Sequence, residues 1–259
     1  MNITLIQAEL YWEDRASNLK MLDSQLEQLK RTDIVVLPEM FTTAFSTQSK
    51  DLAEKMDGHT VAWMKAHASH LQAVLAGSVI IEEEGRYYNR FLWVTPEGDV
   101  THYDKRHLFR MAGEHDHFSP GRDRVIVKWK DWRIMLQVCY DLRFPVFSRN
   151  RYHGGDYEYD LIIYVANWPR PRHNAWRGLL QARAMENLAY SAGVNRIGSD
   201  ANGLEYAGGS VIYDYLGKHL AQGQEDMCIL QADLDREALL RFREKFPTGM
   251  DADQFELKV

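Results

Sequence analysis

Strand-length apolar runs alternate with amphipathic helix patterns along this chain, and this alternation limits the possible folds more than any other feature. Residues 2–8 and 33–37 are apolar enough to form buried strands, and leucines recur at steps of three and four across residues 17–29. A second helix pattern over residues 59–71 precedes another strand pattern over residues 73–82. The pattern predicts an α/β protein.

The middle of the chain carries the signature of antiparallel strands joined by tight turns. Residues 83–85 (Glu-Glu-Gly) and 96–99 (Pro-Glu-Gly-Asp) are turn sequences on either side of a strand pattern over residues 87–95. Residues 125–129 and 133–138 are two further strand patterns with a Lys-Asp turn between them. We therefore expect a β-meander followed by a β-hairpin.

The second half of the chain returns to alternating strands and helices. The predicted strands cover residues 160–166, 189–197, 207–213 and 227–234, and the predicted helices cover residues 144–152, 174–188 and 235–246. Gly208 and Gly209 indicate either a close approach of two backbones or a plain turn. Beyond Pro247 few apolar residues remain, so the tail is expected to lie across a partner subunit or to fray.

Three residues that can carry chemistry each follow a strand-like apolar run. Cys139 ends the run that begins at Ile134, Glu39 leaves its strand through a proline, and Lys105 follows the meander. A thiol is a nucleophile, a carboxylate beside it can act as a general base, and an ammonium group can stabilise an oxyanion. Taken singly, the same residues also fit a buried structural cysteine, a solvated loop acid and a surface lysine.

Four short motifs, taken together, decide between these interpretations. They are Leu37-Pro38-Glu39, Tyr103-Asp104-Lys105-Arg106-His107-Leu108, Cys139-Tyr140-Asp141-Leu142-Arg143-Phe144-Pro145 and Arg183-Ala184-Met185-Glu186-Asn187. In order and spacing they resemble the nitrilase superfamily of carbon-nitrogen hydrolases, and within it the omega-amidase branch and its bacterial YafV type. The resemblance extends over about residues 3–233.

The resemblance implies a catalytic set made of Glu39, Lys105 and Cys139, with no metal and no cofactor. It matches Glu114 to a second glutamate that orients Lys105. We expect Cys139 to attack an amide carbonyl while Glu39 moves the proton, and Lys105 and the peptide N–H of Tyr140 to stabilise the oxyanion. A helix beginning after Cys139 would direct its first N–H groups at the sulfur, which predicts a lowered thiol pKa.

The resemblance also implies the architecture and the assembly. It predicts the four-layer α-β-β-α sandwich of this superfamily in a single domain over residues 1–259. The core would cover residues 3–234, and a C-terminal helix and tail would cover residues 235–259. A homodimer would form through the helices predicted over residues 144–152 and 174–188.

The chain has several cations and aromatic residues that could bind a substrate. Omega-amidases act on monoamides of dicarboxylic acids, so the far carboxylate of the substrate needs a cation. The candidates nearby in the sequence are Arg143, Arg170, Arg172 and Arg177, of which Arg143 and Arg172 are preferred. Each could instead be a surface or dimer-contact arginine. The expected pocket walls are aromatic, with core packing as an equal alternative: Phe41, Phe45, Tyr140 and Trp168.

The loop over residues 107–123 collects histidines and carboxylates that could suggest a metal site. Its members are His107, Glu114, His115, Asp116 and His117. Imidazole and carboxylate groups suit zinc or iron. No pair of these residues is spaced along a helix face as a ligand pair would be, and the resemblance implies a metal-free reaction, so no metal is expected.

Composition excludes several classes of function. A formal net charge of −6 without a basic stripe gives no footprint for nucleic acid. No run reaches the ~20 apolar residues that a membrane span needs, and no basic region opens an export signal. The two cysteines, Cys139 and Cys228, make no disulfide framework, and Cys228 is expected in the core. These features predict a cytoplasmic protein that binds neither nucleic acid nor membranes.

Three functions therefore remain open on the sequence. The first is an omega-amidase acting on 2-oxoglutaramate or 2-oxosuccinamate, which the resemblance favours. The second is another amidase of the same superfamily, such as an N-carbamoyl-amino-acid hydrolase. The third is a non-catalytic interaction module, which the presence of Glu39, Lys105 and Cys139 together argues against. A nitrile substrate is disfavoured because nitrilases tend to carry Cys-Trp-Glu where this chain has Cys139-Tyr140-Asp141.

Overall fold

The computed structural model describes residues 1–258, and it contains two large β-sheets with helices outside them. In chain order the strands are β1 (Asn2–Gln7), β2 (Ile34–Val36), β3 (Val74–Glu83), β4 (Arg86–Val94), β5 (Val100–Asp104), β6 (Ile126–Trp129), β7 (Trp132–Val138), β8 (Tyr152–His153), β9 (Asp156–Tyr157), β10 (Leu161–Ala166), β11 (Tyr190–Asn195), β12 (Ile197–Ser199), β13 (Glu205–Ala207), β14 (Val211–Tyr213), β15 (His219–Gln222) and β16 (Cys228–Asp233).

The helices are fewer and several are short. They are α1 (Arg15–Leu26), α2 (Ser49–Leu52), α3 (His59–Leu71), α4 (Glu114–His117), α5 (Pro145–Ser148), α6 (His173–Glu186) and α7 (Arg236–Lys245). Four 3₁₀ turns cover Arg110–Ala112, Cys139–Arg143, Arg170–Arg172 and Thr248–Asp251. In the part of the chain that the structure describes, no helix has the length and apolarity that a membrane span requires.

The two large sheets have six strands each. Their strand orders are β16-β1-β2-β3-β4-β5 and β15-β14-β11-β10-β7-β6. The central pairs β1–β2, β2–β3, β7–β10 and β10–β11 are parallel, and β3–β4–β5 form the expected antiparallel meander. Strands β6 and β7 form the expected hairpin.

Side-chain alternation along the strands explains how the sheets stack. Ile34 and Val36 belong to the cluster that joins the two sheets, whereas Val35 between them belongs to a second cluster that includes buried side chains of α1 and α3. On the far side, Trp176 and Leu180 of α6 pack against the second sheet. The layers are therefore helix, sheet, sheet and helix, which confirms the predicted α-β-β-α sandwich.

The segment after Cys139 differs from the prediction of a helix over residues 144–152. A five-residue 3₁₀ turn begins at Cys139 itself, and α5 contains only four residues. The helix stops because Arg149 is extended, with ψ of 129°, and because the N–H of Asn150 donates to Asn187 Oδ1 at 2.9 Å. A side chain distant in sequence thus replaces the helical hydrogen bond.

The strand predicted over residues 207–213 is broken in the structure. Strand β13 ends at Ala207, β14 begins at Val211, and Gly208 and Gly209 between them have φ of +60° and +71°. A Cβ on Gly208 would lie 2.6 Å from the Gln7 side chain, and one on Gly209 would lie 2.3 Å from the His173 ring. The close neighbours of the glycine pair are therefore two side chains and not a second backbone, and both glycines have the positive φ that is typical of a turn.

The C-terminal tail lies along its own chain. The N–H of Gly249 donates to the Tyr157 hydroxyl at 2.8 Å, and Leu257 packs against the core. Cys228, expected in the core, is only partly buried on β16 at the edge of its sheet.

Candidate active site

The face-to-face packing of the two sheets brings three strand ends together. Glu39 follows β2 and Lys105 follows β5 in the first sheet, whereas Cys139 follows β7 in the second. Glu39 and Lys105 are 66 positions apart in sequence but meet in a hydrogen bond. All three residues are buried, with Cys139 retaining 8% of its surface.

Lys105 bridges two glutamates in a completely buried cluster. Its Nζ donates to Glu39 Oε1 at 2.9 Å and to Glu114 Oε1 at 3.0 Å, and all three side chains have no exposed surface. Burial alone would lower the pKa of Lys105, but the Glu114 and Glu39 carboxylates outweigh it, and the pKa lies above the usual range. Lys105 is therefore a protonated ammonium group at neutral pH.

Glu114 lies in α4 and completes this cluster from the predicted histidine-rich loop. Its second oxygen accepts a hydrogen bond from the N–H of Phe109, which fixes the carboxyl group. Burial is the main reason that the pKa of Glu114 is raised, with the Glu39 charge adding to it and Lys105 opposing it. The structure thus brings Glu114 to Lys105 as the sequence predicted.

Two asparagines that sequence reasoning missed hold Glu39 in place. Asn89 on β4 donates through Nδ2 to Glu39 Oε1 at 2.8 Å and to Glu114 Oε1 at 3.2 Å. Asn167 donates its backbone N–H to Glu39 Oε2 at 2.7 Å and its amide to the Glu39 carbonyl at 2.6 Å. Asn167 directly follows β10, so the strand-end argument applied to Cys139 could have identified it. Asn89 lies inside a strand and carries no such signal.

Cys139 occupies a strained backbone position at the start of the 3₁₀ turn. Its φ is +45°, a left-handed conformation that side chains other than glycine rarely adopt, and its Sγ lies 3.9 Å from the carbonyl oxygen of Asn167. A strained, over-determined residue of this kind is typical of functional sites.

The predicted lowering of the Cys139 pKa is wrong. Burial is the largest cause of a pKa well above the usual thiol range, and the nearby Glu39 charge raises it further, while Lys105 lowers it. The expected helix N-terminus does not form, because the 3₁₀ turn starts at Cys139 and α5 is short. The resting group is therefore a thiol beside a carboxylate that can accept its proton.

A cavity of about 290 Å³ reaches this cluster from the surface. Lys105 and Cys139 lie in its wall, and Phe45, Phe109 and Arg172 also line it. A narrower cleft adjoins it at Cys139, and its walls include Tyr140, Arg143, Trp168 and Arg172.

The two candidate arginines that line the cleft beside Cys139 pack on aromatic rings. The Arg143 guanidinium lies 4.9 Å from the ring centre of Trp168, and that of Arg172 lies 5.2 Å from the ring centre of Phe109. Within residues 1–258, neither guanidinium forms an ion pair with a carboxylate. Arg170, by contrast, pairs with Glu205 and Glu225 at the surface.

Phe41 does not line the cavity, contrary to the prediction. It is completely buried in the cluster between the first sheet and its helices, where its ring centre lies 5.9 Å from that of Trp63. It packs so closely on β3 that a Cβ on Gly77 would lie 2.9 Å from the Phe41 ring. The core alternative is therefore correct for Phe41. Phe45 does line the cavity.

The histidines of the loop do not converge on one point. His107 Nδ1 contacts Asp141 Oδ1 at 2.7 Å, whereas His115 contacts Asp116 at 3.6 Å. Among the described residues, no group of three or more histidine, cysteine or acidic side chains has the arrangement needed to hold a metal ion.

Comparisons with known proteins relate the whole chain to one family. The carbon-nitrogen hydrolase family model matches residues 2–244. Omega-amidase YafV of Escherichia coli strain K12 is 48% identical over 258 residues, which is 99% of this chain and 98% of that protein. The 2-oxoglutaramate amidase of Bacillus subtilis strain 168 is 31% identical over 253 residues, covering 96% of each chain.

A solved structure extends the likeness to three dimensions. XC1258 from Xanthomonas campestris is described as a CN-hydrolase superfamily protein with an arsenic adduct in its active site. It superimposes with a TM-score of 0.98 at 46% identity, covering 100% of this chain and 99% of that one.

Proposed function

The chain belongs to the carbon-nitrogen hydrolase family, and on that premise we propose that it is an omega-amidase. It hydrolyses the terminal amide of dicarboxylic acid monoamides, with 2-oxoglutaramate as the favoured substrate and 2-oxoglutarate and ammonia as products. The names and high identities of its relatives support this choice. The single structural observation that carries it is the Lys105 ammonium bound to two buried carboxylates beside Cys139.

The first half of the reaction forms a thioester. Cys139 Sγ attacks the amide carbonyl carbon while Glu39 removes the thiol proton. The carbon-nitrogen bond then breaks, and Glu39 returns the proton to the departing ammonia. Glu39 suits this task because Oε2 accepts one short hydrogen bond, at 2.7 Å from the Asn167 N–H, and its second contact, with the Asn167 amide, is long at 3.5 Å and weak enough for a proton to replace it.

The tetrahedral intermediate needs donors for its oxyanion. An ammonium group has three N–H donors, and Lys105 uses two of them on Glu39 and Glu114, which leaves the third for the substrate oxygen. The peptide N–H of Tyr140, which follows the nucleophile, is the second donor. Glu114 fixes Lys105 in this orientation.

The second half of the reaction restores the enzyme. Glu39 removes a proton from water, and the hydroxide attacks the thioester carbonyl. The carbon-sulfur bond then breaks to release the acid, and Glu39 passes its proton to the departing sulfur, which restores the Cys139 thiol and the Glu39 carboxylate. None of these steps uses a metal or cofactor, because the protons come from the thiol and from water, Glu39 carries them, and the Lys105 ammonium group stabilises the negative charge.

Arg172 is the preferred partner for the distant carboxylate of the substrate. It lines both the larger cavity and the narrower cleft beside Cys139, and its guanidinium has no ion pair among the described residues. Arg143, Tyr140 and Trp168 line the cleft alone and form its aromatic and cationic wall. A bidentate arginine contact favours a carboxylate over a neutral chain end.

A panel of amides with ammonia release as the readout tests the proposal. The panel contains 2-oxoglutaramate, 2-oxosuccinamate, a neutral straight-chain amide of equal length, a nitrile and an N-carbamoyl amino acid. We expect the first two to be hydrolysed at least 10-fold more efficiently than the neutral amide, since a charge-assisted contact contributes about 1.5–3 kcal/mol. Equal rates for the neutral amide would contradict the proposal.

The alternative function has its own readout. An N-carbamoyl-amino-acid hydrolase releases ammonia and carbon dioxide, so carbon dioxide from the carbamoyl substrate would favour it. In both cases Cys139→Ala should abolish turnover while keeping the fold, and mass spectrometry of quenched wild type should detect an acyl group on Cys139.

We also propose a homodimer and a cytoplasmic location. Val146 on α5 and Met185 on α6 expose 56% and 45% of their surface, which supports association through these helices. Cys139 and Cys228 are both free thiols, which supports a compartment where thiols stay reduced. Light scattering after size-exclusion chromatography tests the dimer, and cell fractionation tests the location.

A further inference from the structure

Asp141 lies two residues after the nucleophile and is completely buried. Its Oδ2 accepts hydrogen bonds from the Tyr103 hydroxyl at 2.7 Å and from the N–H of Val138 at 3.0 Å. Its Oδ1 accepts from the N–H of His107 at 2.9 Å and contacts His107 Nδ1 at 2.7 Å. A buried carboxylate accepts hydrogen bonds only, so the imidazole nitrogen that faces it is the protonated one.

These four contacts join the two segments that carry the proposed catalytic residues. Tyr103 and His107 lie two residues before and two residues after Lys105, whereas Val138 and Asp141 lie on either side of Cys139. One carboxylate therefore ties the end of β5 in the first sheet to the end of β7 in the second.

We propose that His107 and Asp141 are positioning residues that hold Cys139 in its left-handed conformation and fix the position of its sulfur relative to Lys105. This inference rests on the proposed function, because it concerns the same nucleophile. Neither side chain touches the reacting atoms in the proposed mechanism. Their effect passes through the backbone of Val138 and Cys139.

The backbone of Cys139 needs such support. A φ of +45° at a residue with a Cβ costs about 1–3 kcal/mol and persists only where the surroundings fix it. The Val138 N–H bond to Asp141 fixes the start of the turn, and Arg183 on α6 donates to the carbonyl of Leu142 at 2.6 Å and fixes its end.

The His107 ring is aimed at Asp141 by aromatic packing. It stacks on Phe144 with ring centres 3.8 Å apart and planes 7° from parallel, and it meets Phe147 edge-on at 5.3 Å. Phe144 directly follows the 3₁₀ turn Cys139–Arg143, here called the nucleophile turn, and Phe147 lies three residues further on in α5. The ring is thus held by the same segment that it positions, so its loss should release the turn locally.

Two substitutions at His107 separate positioning from simple stability. In His107→Asn the side-chain amide can take the place of Nδ1–H and donate to Asp141, whereas His107→Leu fills similar space without a donor. We expect His107→Leu to lower kcat about 100-fold with KM within two-fold, because small misplacements of reacting groups cost this much. We expect His107→Asn to recover at least 10-fold of that loss.

A second histidine–aspartate pair provides the matched control. His67 Nε2 contacts Asp23 Oδ1 at 2.9 Å and packs on Trp63, in the outer helix layer and away from the cavity. His67→Leu should lower Tm but leave kcat unchanged. The proposal is overturned if His107→Leu lowers Tm without lowering kcat, or if His107→Asn is as impaired as His107→Leu.

Alkylation of the thiols gives a readout that does not depend on any substrate. Burial and the Glu39 charge raise the pKa of Cys139, with Glu114 adding to it and Lys105 opposing it, so a released turn should let this pKa fall toward the ordinary value. Alkylation by iodoacetamide is measured at each cysteine by mass spectrometry over a range of pH, and the pH dependence of the rate gives the thiol pKa. We expect His107→Leu to have a lower pKa at Cys139 than the wild type and an unchanged pKa at Cys228.

An unchanged profile at both cysteines would overturn the inference, and so would faster alkylation at both, which indicates global loosening. If the wild type hydrolyses no amide but His107→Leu still lowers the pKa of Cys139 alone, the proposed function is rejected and the positioning role stands.

Discussion

The ammonium group of Lys105 donates a 2.9 Å hydrogen bond to Glu39, and both side chains are completely buried. A buried ion pair is costly to break because the remaining partner is left as an uncompensated charge. The same contact places a cation beside the proposed general base.

We expect Lys105→Met to lose both stability and activity. The free energy of unfolding at neutral pH should fall by about 3–5 kcal/mol, because Glu39 and Glu114 lose their shared cation. Turnover should fall by about 10²–10³ because an oxyanion donor is removed. Urea unfolding and ammonia release measure the two effects. Lys65→Met, at an exposed position on α3, is the control and should change neither. A variant as stable as wild type would contradict the buried pairing.

Two inactive variants at the nucleophile should differ in stability. Cys139→Gly should be more stable than Cys139→Ala by about 1 kcal/mol, because glycine adopts a positive φ without strain and alanine does not. Neither variant has a thiol at position 139, so the two differ only in the residue that occupies the turn. Thermal and urea unfolding of the pair provide the measurement, and a more stable alanine variant would show that the turn carries no strain.

The raised pKa of Cys139 should appear as a loss of stability at alkaline pH. The thiol ionises in the unfolded chain near its ordinary pKa of about 8.5, but it stays protonated in the folded protein at that pH. The contribution is fully present below the unfolded pKa and declines as pH rises above it. Between pH 7.5 and 9.5 the wild type should lose about 1 kcal/mol relative to Cys139→Ala. Cys228→Ala measures the smaller contribution of the other thiol. A constant difference across this range would contradict the raised pKa.

Arg172 should control the preference for a substrate with a carboxylate. Arg172→Gln should lower kcat/KM for 2-oxoglutaramate about 10- to 100-fold, mainly through KM, and should leave a neutral amide nearly unaffected. Arg143→Gln should have a smaller effect because Arg143 lines only the narrower cleft. Arg170→Gln removes a surface ion pair with Glu205 and Glu225 and serves as the control. Equal losses for charged and neutral amides would assign Arg172 a structural role instead.

Phe41 and Phe45 should respond differently to truncation. Phe41→Ala opens a cavity in the core and should cost about 3–5 kcal/mol of stability while leaving the ratio of kcat/KM between 2-oxoglutaramate and the neutral amide unchanged. Phe45→Ala removes a cavity wall next to Lys105 and should change KM with a smaller loss of stability. Thermal unfolding and the amide panel together distinguish the two variants. A changed substrate ratio in Phe41→Ala would show that Phe41 contributes to substrate binding.

The errors of the sequence analysis all concern burial and local termination. The short α5 follows from the contact of Asn150 with Asn187, 37 positions away, and the raised Cys139 pKa follows from its burial against Glu39. Phe41 and Phe45 are only four positions apart, and nothing in the sequence around them shows that the first ring is in the core and the second lines the cavity.

The sequence by itself determined the alternation of strands and helices, the α/β class and the positions of Glu39, Lys105 and Cys139 at strand ends. These follow from local periodicity, which the chain carries in short windows. Only the tertiary structure decided that Asn89 and Asn167 hold Glu39, that Asp141 joins His107 to the nucleophile turn, and that the thiol is protonated at rest. The residues in these contacts are up to 128 positions apart, so their hydrogen bonds and their burial exist only once the two sheets have packed together.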